Sequence, residues 1–419
     1  GFPVVLKGLG ARLTHKTERG LVRLHLKDRA EVEAAAAAIA AAAGADLEGF
    51  LVQPMLAGRR EFVAGMIRDD RFGPVIMFGL GGIYTEALRD VVFRIAPLQA
   101  DEAARMPDEL RAAALLGDFR GEAAADRGQI VRVLTGLSRL ALEHPDVAEI
   151  DLNPLLVEPD GRVTAVDALV VLGGAPAPDA PPRDLSFLDR MLAPRSVALV
   201  GARRSTNGGW QNLMRVIAGH GYTGRLYPIN PRAGEIEGFP AYPSLRDLPE
   251  PVDLVIIAVA APMVPAALED CIATGNRNVH IFAAGFKETG EAEGLRLQRE
   301  IEEIATRGRL NVMGPNCMGL YNPALRLATW RSAPLRSGTV AFVSQSGGHA
   351  GDLAALAERS GIHFSKAVSY GNALTLDSTD FLEYLKRDDE TDTVCLYLEG
   401  IRDGRRLRRE LAVLPVRPG

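Results

Sequence analysis

At 419 residues the chain is too long for one hydrophobic core and predicts two or three domains. Its 48 Lys and Arg residues against 53 Asp and Glu leave a net charge of −5, so no global basic field marks a nucleic-acid binder. With 47% apolar and 24% charged residues it reads as an ordinary soluble globular protein. Cys271, Cys317 and Cys395 are odd in number and far apart. They fit a reducing, cytoplasmic setting rather than a disulfide framework or a zinc site. No apolar run approaches the roughly 20 residues of a membrane helix, and the first residues carry no signal peptide. The chain starts inside a strand, "GFPVVLKGLG", without Met, and stops at "AVLPVRPG" in a turn before another expected strand. It therefore reads as a fragment cut at both ends.

In chain order, the strand-like runs "PVVLK", "FLVQPML", "EFVAGMI" and "PVIMFGL" surround the alanine-rich helix "AEVEAAAAAIAAAA", whose Val and Ile spacing marks a surface helix. The stretch "LGGAPAPDAPPRD", rich in Pro, Ala and Gly and without periodicity, reads as a linker over 172–185. The runs "SVALVGA", "RLYPIN", "LVIIAVA", "NVHIFAAG" and "NVMGPN" then alternate with helical stretches, the rhythm of a parallel, doubly wound α/β sheet. The rhythm restarts at "GTVAFVSQSGG" and continues through "DTVCLYLEG", after a softer boundary marked only by "RSAPLRSG". The expected units are residues 1–171, 186–330 and 331–419.

Several patterns point to phosphate chemistry. Lys7 ends the first strand, where a lysine reaches a nucleotide phosphate; a plain surface lysine is the competing reading. In "MFGLGGIYTEALRD", Gly79, Gly81 and Gly82 permit close backbone approach to a phosphate, and Glu86 and Asp90 follow at helical spacing. In "AEIDLNPLLVEPDGRVTAVDALV", Asp151 and Asn153 share a strand face, and the "PDG" turn returns Asp167 alongside them. Two oxygen ligands beside a phosphate loop suit Mg²⁺, which keeps most of its waters. Further on, "SVALVGARRSTNGGWQ" puts Gly201 at a strand-to-helix turn but lacks a full G-x-G-x-x-G, which argues against a nicotinamide dehydrogenase. The "GPNC" stretch reads as a tight turn with Cys317 a buried core thiol. In "VSQSGGHAGDLAAL", His349 sits in a glycine-rich turn that opens a helix, a place that favours phosphate.

Together these segments resemble the NDP-forming (ADP-forming) acyl-CoA synthetases, the acetate–CoA ligase family related to succinyl-CoA synthetase. "GFPVVLK", "THKTERGLVRL", "FLVQPMLAGRREFVAGMIRDDRFGPVIMFGLGGIYTE", "VFRIAPL" and "EIDLNPLLV" resemble its ATP-grasp domain. "YPINPRAGEIEGFPAYPSLRDLP", "VDLVIIAVAAPMVP", "AAGFKETGE" and "VMGPNCMGLYNP" resemble its Rossmann-like CoA-binding domain, and "SGTVAFVSQSGGHAGDLAALAERSGIHFSKAVSYGNA" its flavodoxin-like succinyl-CoA-ligase domain. Two departures are that Gly20-Leu21 stands where the family usually has two glycines, and that the leading ATP-grasp helices are missing.

The resemblance implies that Lys7 holds the ATP phosphates, that Gln53 and Met55 lie along the adenine, that Glu61 joins the nucleotide site, and that Asn153 and Asp167 carry Mg²⁺. It implies that Asp151 meets a phosphohistidine loop and that His15, in "THKT", relays the phosphoryl group; a structural histidine positioning Lys16 is the alternative for His15. It places Gly201, Ala202 and Arg203 by the CoA phosphates, Asn230 and Pro231 at its nucleotide end, Ala258–Pro262 along the pantetheine, and Asn316 near the thiol. Ser344, Ser346 and Gly347 surround the helix terminus that steadies a phosphorylated histidine, and Glu399 orients that histidine. His349 is then a bystander, since the family's phosphohistidine loop follows the next strand, expected just past Gly419. The implied reaction joins a small carboxylic acid to CoA with ATP, giving acyl-CoA, ADP and phosphate, in a homo-oligomer with no nucleic-acid or membrane partner. A CoA- and nucleotide-sensing scaffold, or the regulatory part of a fused acyltransferase, is the alternative.

Overall fold

A computed structural model describes residues 1–10, 12–13, 19–82, 88–173, 183–203, 212–331 and 333–412. His15 and Glu86 lie outside the described residues. The chain forms two compact units, 1–178 and 179–419. Among the described residues no helix is long and apolar enough to cross a membrane.

In the first unit, β1 (Val4–Leu9), β2 (Val22–Leu26) and β3 (Gly49–Pro54) form a three-stranded antiparallel sheet in the order β2-β1-β3. The helix Arg29–Ala43 closes one face, packing Ile39 and Ala43 against Leu6, Leu21 and Leu26. It starts where Asp28 accepts the Glu31 amide and stops at Gly44, whose φ of 59° ends the helical path. A larger antiparallel sheet comprises β4 (Arg60–Asp69), β5 (Gly73–Leu80), β6 (Val91–Ile95), β7 (Val147–Val157) and β8 (Val163–Ala165). Its order is β6-β5-β4-β7-β8, and β9 (Leu169–Leu172) also pairs with β7. Alternation sorts its residues onto two faces. Phe62, Ala64, Met66, Ile76, Phe78 and Ile150 form a core with Ile130 and Leu134 of the helix Arg127–Glu143. By the same period Glu61, Gly65, Gly79 and Asp151 fall on the opposite face, with Gly65 directly across from Asp151.

The second unit holds two sheets. In the first, β10 (Ser196–Val200), β11 (Arg225–Ile229), β14 (Leu254–Ile257), β15 (Asn278–Ile281) and β16 (Asn311–Met313) run parallel in the order β11-β10-β14-β15-β16. A short hairpin, β12 (Glu235–Ile236) and β13 (Phe239–Pro240), lies apart. The second sheet joins β17 (Gly319–Asn322), β18 (Leu327–Ala328), β19 (Val340–Ser344), β20 (Phe364–Ser369) and β21 (Thr393–Tyr397) in the order β18-β17-β20-β19-β21. The chain changes sheet just after Asn316, ahead of the boundary expected at residue 331, because β17 pairs antiparallel with β20 from Gly319 opposite Ser369. Hydrogen-bond register, not composition, sets the changeover. One core spans both sheets through Leu199, Ile256, Met313, Val343, Val368 and Phe381, so two expected domains form one compact body. The end of the linker belongs to that body: Leu185 is buried in it, and Arg183 donates to the Thr375 carbonyl at 2.9 Å and pairs with Asp380 at 3.2 Å.

On β15, His280 is completely buried, and burial pushes its imidazole pKa down to about 4 against a weak hydrogen bond to the Cys317 carbonyl. Unfolded histidine binds a proton near pH 6.5, whereas the folded ring stays neutral to about 4, so stability falls as pH drops through that window. Replacing His280 with Met removes this term. The melting temperature of the variant should fall less between pH 7 and pH 5 than that of the unsubstituted chain; parallel losses would show that His280 does not set the acid sensitivity.

Candidate functional site

Lys7 is buried between the two sheets of the first unit. Its Nζ donates to the Val166 carbonyl at 2.8 Å and stands 3.7 Å from Asp167. Gln53 donates to the same carbonyl at 3.4 Å, and its Oε1 is buried without a partner among the described residues. Val166 and Asp167 occupy the short connection between β8 and β9, both of which pair with β7, so the hairpin returns Asp167 to the strand that bears Asp151 and Asn153. Burial, then Glu149, raises the Asp151 pKa; the Asn153 amide donates to its carboxylate and opposes this, while Asp167 adds to it. The structure thus brings Lys7, Gln53, Asp151, Asn153 and Asp167 into one cluster. Met55, just past β3, is half-buried and donates its amide to the Pro3 carbonyl at 3.0 Å.

Glu61 lies farther along the same face, across from Leu156. The Gly81 amide donates to the Glu61 carbonyl at 2.8 Å, and a Cβ on Gly82 would sit 2.8 Å from the Glu61 carboxylate. Gly79 faces Val63 across the pair β4–β5. The glycine segment therefore lies directly against Glu61. Asp90 serves the fold instead, its two oxygens accepting the amides of Arg111 and Ala112 at 2.9 and 2.8 Å.

In the second unit the expected residues collect at the carboxyl ends of parallel strands. β10 and β14 are adjacent while β11 lies on the other side of β10, so a topological switch falls between β10 and β14, where such sheets bind ligands. Gly201 and Ala258 follow these two strands. A Cβ on Gly201 would lie 2.7 Å from the Ala258 carbonyl, and its φ is 88°, so only glycine lets the loops approach this closely. Asn230, after β11, donates to the Ala202 carbonyl at 2.7 Å and accepts the Arg232 amide at 2.8 Å, which fixes the turn carrying exposed Arg203 and Pro231. Pro262 is exposed on the short turn Ala261–Met263. Asn316 is exposed at φ 57°, beyond β16, and its amide donates to the Ala283 carbonyl at 2.8 Å. Cys317 is buried, and burial raises its thiol pKa, which suits a core residue.

The second sheet of this unit repeats the pattern. β19 is flanked by β20 and β21, so its switch point lies between β19 and β21. Ser344 is fully buried and its hydroxyl donates to the Ser346 carbonyl at 2.7 Å, so it builds the loop. Ser346 caps the helix Gly347–Arg359, and Gly347 opens it. His349 shares a 2.8 Å hydrogen bond with the Ser346 hydroxyl and stacks on Tyr397 at 4.4 Å between ring centres. Exposed Glu399 follows β21. The turn Gly314–Asn316 ties the two sheets' sites together: Asn372 and Leu374 donate their amides to the Pro315 and Gly314 carbonyls at 2.9 Å. The Tyr370 amide in turn donates to the Ser344 carbonyl at 3.0 Å.

Sequence reading passed over two residues here. The Gln345 side chain accepts the amides of both Glu399 and Gly400. Glu288, in "AAGFKETGE", accepts the Asn372 amide group at 2.6 Å and the Gly285 amide at 2.6 Å. Burial works against its charge, yet these bonds hold the Glu288 carboxyl below its usual range. No motif marks them.

Comparison with known proteins finds the ATP-grasp domain over residues 1–172, the CoA binding domain over 195–323 and the succinyl-CoA ligase like flavodoxin domain over 337–414. The chain is 34% identical over 409 residues to acetate–CoA ligase [ADP-forming] II of Archaeoglobus fulgidus, which covers 97% of this chain and 59% of that protein. It is 39% identical over 177 residues to the beta subunit of acetate–CoA ligase [ADP-forming] I of Pyrococcus furiosus, covering 41% of this chain and 76% of the subunit. A crystal structure of a protein from Pyrococcus horikoshii OT3 aligns with a TM-score of 0.50 at 34% identity, over 53% of this chain and 51% of that one.

The loop contact at Gly201 predicts a sharp contrast between two glycines. Gly201→Ala should cost about 1–3 kcal/mol through the clash and the positive φ. Gly219→Ala, in the helix Leu213–His220 with nothing within 4 Å of the added Cβ, should be neutral or stabilising by up to about 1 kcal/mol. Thermal melting of both variants checks this; equal melting temperatures would contradict the close approach.

Proposed function

Because the chain belongs to the ADP-forming acyl-CoA synthetases, the acetate–CoA ligase family, we propose that the protein carrying it converts a carboxylic acid, CoA and ATP into acyl-CoA, ADP and phosphate. The chain spans 59% of the Archaeoglobus fulgidus relative, so this reading concerns the whole protein. One observation carries it: the turn Gly314–Asn316 of the first parallel sheet packs on the loop Tyr370–Ala373 of the second. A CoA lying across the β10–β14 switch toward Asn316 brings its thiol to the region that also holds the N-terminus of Gly347–Arg359, whose free N–H groups and dipole favour a phosphoryl group.

The proposed sequence has three transfers. A histidine attacks the γ-phosphorus of ATP and ADP leaves. The carboxylate of the acid then takes the phosphoryl group from that histidine, forming an acyl phosphate. The CoA thiolate attacks the acyl carbon, and phosphate leaves. In the first transfer Lys7 offsets charge on the nucleotide phosphates, with Glu61 and the segment Gly79–Gly82 alongside and Gln53 and Met55 along the base. Gln53 suits that role, since its buried Oε1 has no partner among the described residues and can accept a base amino group. Asn153 and Asp167 fit Mg²⁺ as two oxygen donors beside carboxylates whose mutual repulsion a cation relieves. Bound there, the ion would screen the phosphate charge. Among the described residues no group of three or more His, Cys, Asp or Glu side chains forms a metal cage, which agrees with an ion held largely by water and phosphate. Asp151 faces the incoming phosphohistidine, and His15 relays the phosphoryl group from ATP to that histidine, which divides the first transfer into two. Glu399 orients the same histidine at the second site. His349, engaged with Ser346 and Tyr397, stays outside the transfer.

Assays of ADP release on the full-length protein with a panel of short carboxylic acids test this reading. Turnover should require acid and CoA together. Asp167→Ala should lower kcat/KM for Mg·ATP about 100-fold while the Kd for CoA stays within about twofold. His349→Ala should lose no more than about fivefold, the worth of one hydrogen bond. ADP release independent of CoA, or acid-labile phosphate label lost in His349→Ala and kept in His15→Ala, would overturn these assignments.

A further inference from the structure

We infer that Gln345 is a positioning residue that holds Glu399 in place through the main chain. The inference rests on the ligase reading above, because it assigns a purpose to the Glu399 segment. Gln345 stands between the last residue of β19 and the helix cap Ser346. Its backbone N–H donates to the Tyr397 carbonyl at 3.0 Å. Its side-chain Oε1 accepts the amide of Glu399 at 2.7 Å and that of Gly400 at 3.0 Å. One carbonyl oxygen has two lone pairs, so both bonds form at once. Three hydrogen bonds from a single residue therefore fasten the segment that leaves β21.

That segment would otherwise be weakly held. β21 is the edge strand of its sheet, and both Glu399 and Gly400 are exposed just beyond it. The far side is fastened by Arg402, which donates to the Ala373 carbonyl at 2.8 Å. Glu399 thus projects from a short stretch secured at one end by Gln345 and at the other by the loop that meets the Gly314–Asn316 turn. The arrangement also links Glu399 to the phosphate-favouring helix, since Gln345 directly precedes the cap residue Ser346. A neutral acceptor suits the place. A carboxylate at 345 could accept the same two bonds, but it would add negative charge beside Glu399 and beside an incoming phosphoryl group. Methionine would fill similar space and accept neither bond well.

Amide hydrogen exchange on the chain tests the clamp without any activity. In the unsubstituted protein the amides of Glu399 and Gly400 should exchange slowly despite their exposure; free exchange there overturns the inference without a variant. Gln345→Met should accelerate both by about 30-fold, the loss of two ordinary hydrogen bonds, and Gln345→Glu should keep them slow. In the full-length protein, Gln345→Met should lower kcat by about tenfold, as expected for a misplaced orienting group, with KM for Mg·ATP and CoA nearly unchanged. Faster exchange with unchanged kcat would show that the clamp does not position Glu399 for transfer. An unsubstituted protein without ADP-forming turnover would sink the ligase reading separately, leaving the exchange data to decide the clamp.

Discussion

The second unit depends on one close backbone approach. A Cβ on Gly371 would lie 2.2 Å from the Pro315 carbonyl oxygen and 2.3 Å from that of Asn316, and its φ is 53°. No other residue lets these two loops meet so closely. Beside this contact the chain passes from β16 to β17, and the two sheets share a core. Their carboxyl edges, each with its own switch point, are thereby held beside one another. A ligand running along the first edge ends next to a helix N-terminus on the second. The acyl transfer proposed above requires that juxtaposition.

The first unit follows a different logic. Its larger sheet buries a conventional apolar core on one face, with Phe62 and Phe78 stacked at 5.6 Å. The other face gathers carboxylates and glycines around a buried lysine, an arrangement that does not favour the empty protein. Burial raises Asp151, and Lys7 donates to the Val166 carbonyl and stands 3.7 Å from Asp167. In the function proposed above, that face receives anionic phosphates and a cation. The apolar face supplies the stability that such a site lacks, a common division between scaffold and site.

Much of this was legible in the sequence for a physical reason. Parallel strands buried on both faces read as apolar runs, so "SVALVGA", "LVIIAVA" and "NVMGPN" located strands and the loops at their carboxyl ends. The return of Asp167 to the strand of Asp151 and Asn153 was legible because alternation and the "PDG" turn constrain that hairpin, whereas Lys7, expected to end its strand, lies within β1, which runs on to Leu9. The changeover at Gly319 was not legible, since β17 is short and its identity depends on pairing with β20, remote in sequence. Nor was the work of Gln345 or Glu288: Gln345 binds main-chain amides and Glu288 the Asn372 side chain, each on a loop distant in sequence, and no local pattern reports such a partner. Ser344 looked like a ligand contact from its neighbours, but its hydroxyl is engaged within its own loop.

The central claim is that CoA and a phosphoryl group are brought to one place by the packing of Gly371 on the Gly314–Asn316 turn. A crystal structure of the chain with CoA and inorganic phosphate tests it most directly. The account predicts the CoA phosphates by Gly201–Arg203, the thiol at Asn316, and the phosphate at the N-terminus of Gly347–Arg359, with no side chain standing between thiol and phosphate. A thiol directed away from the Tyr370–Ala373 loop, or a phosphate bound elsewhere with that helix terminus empty, would contradict it.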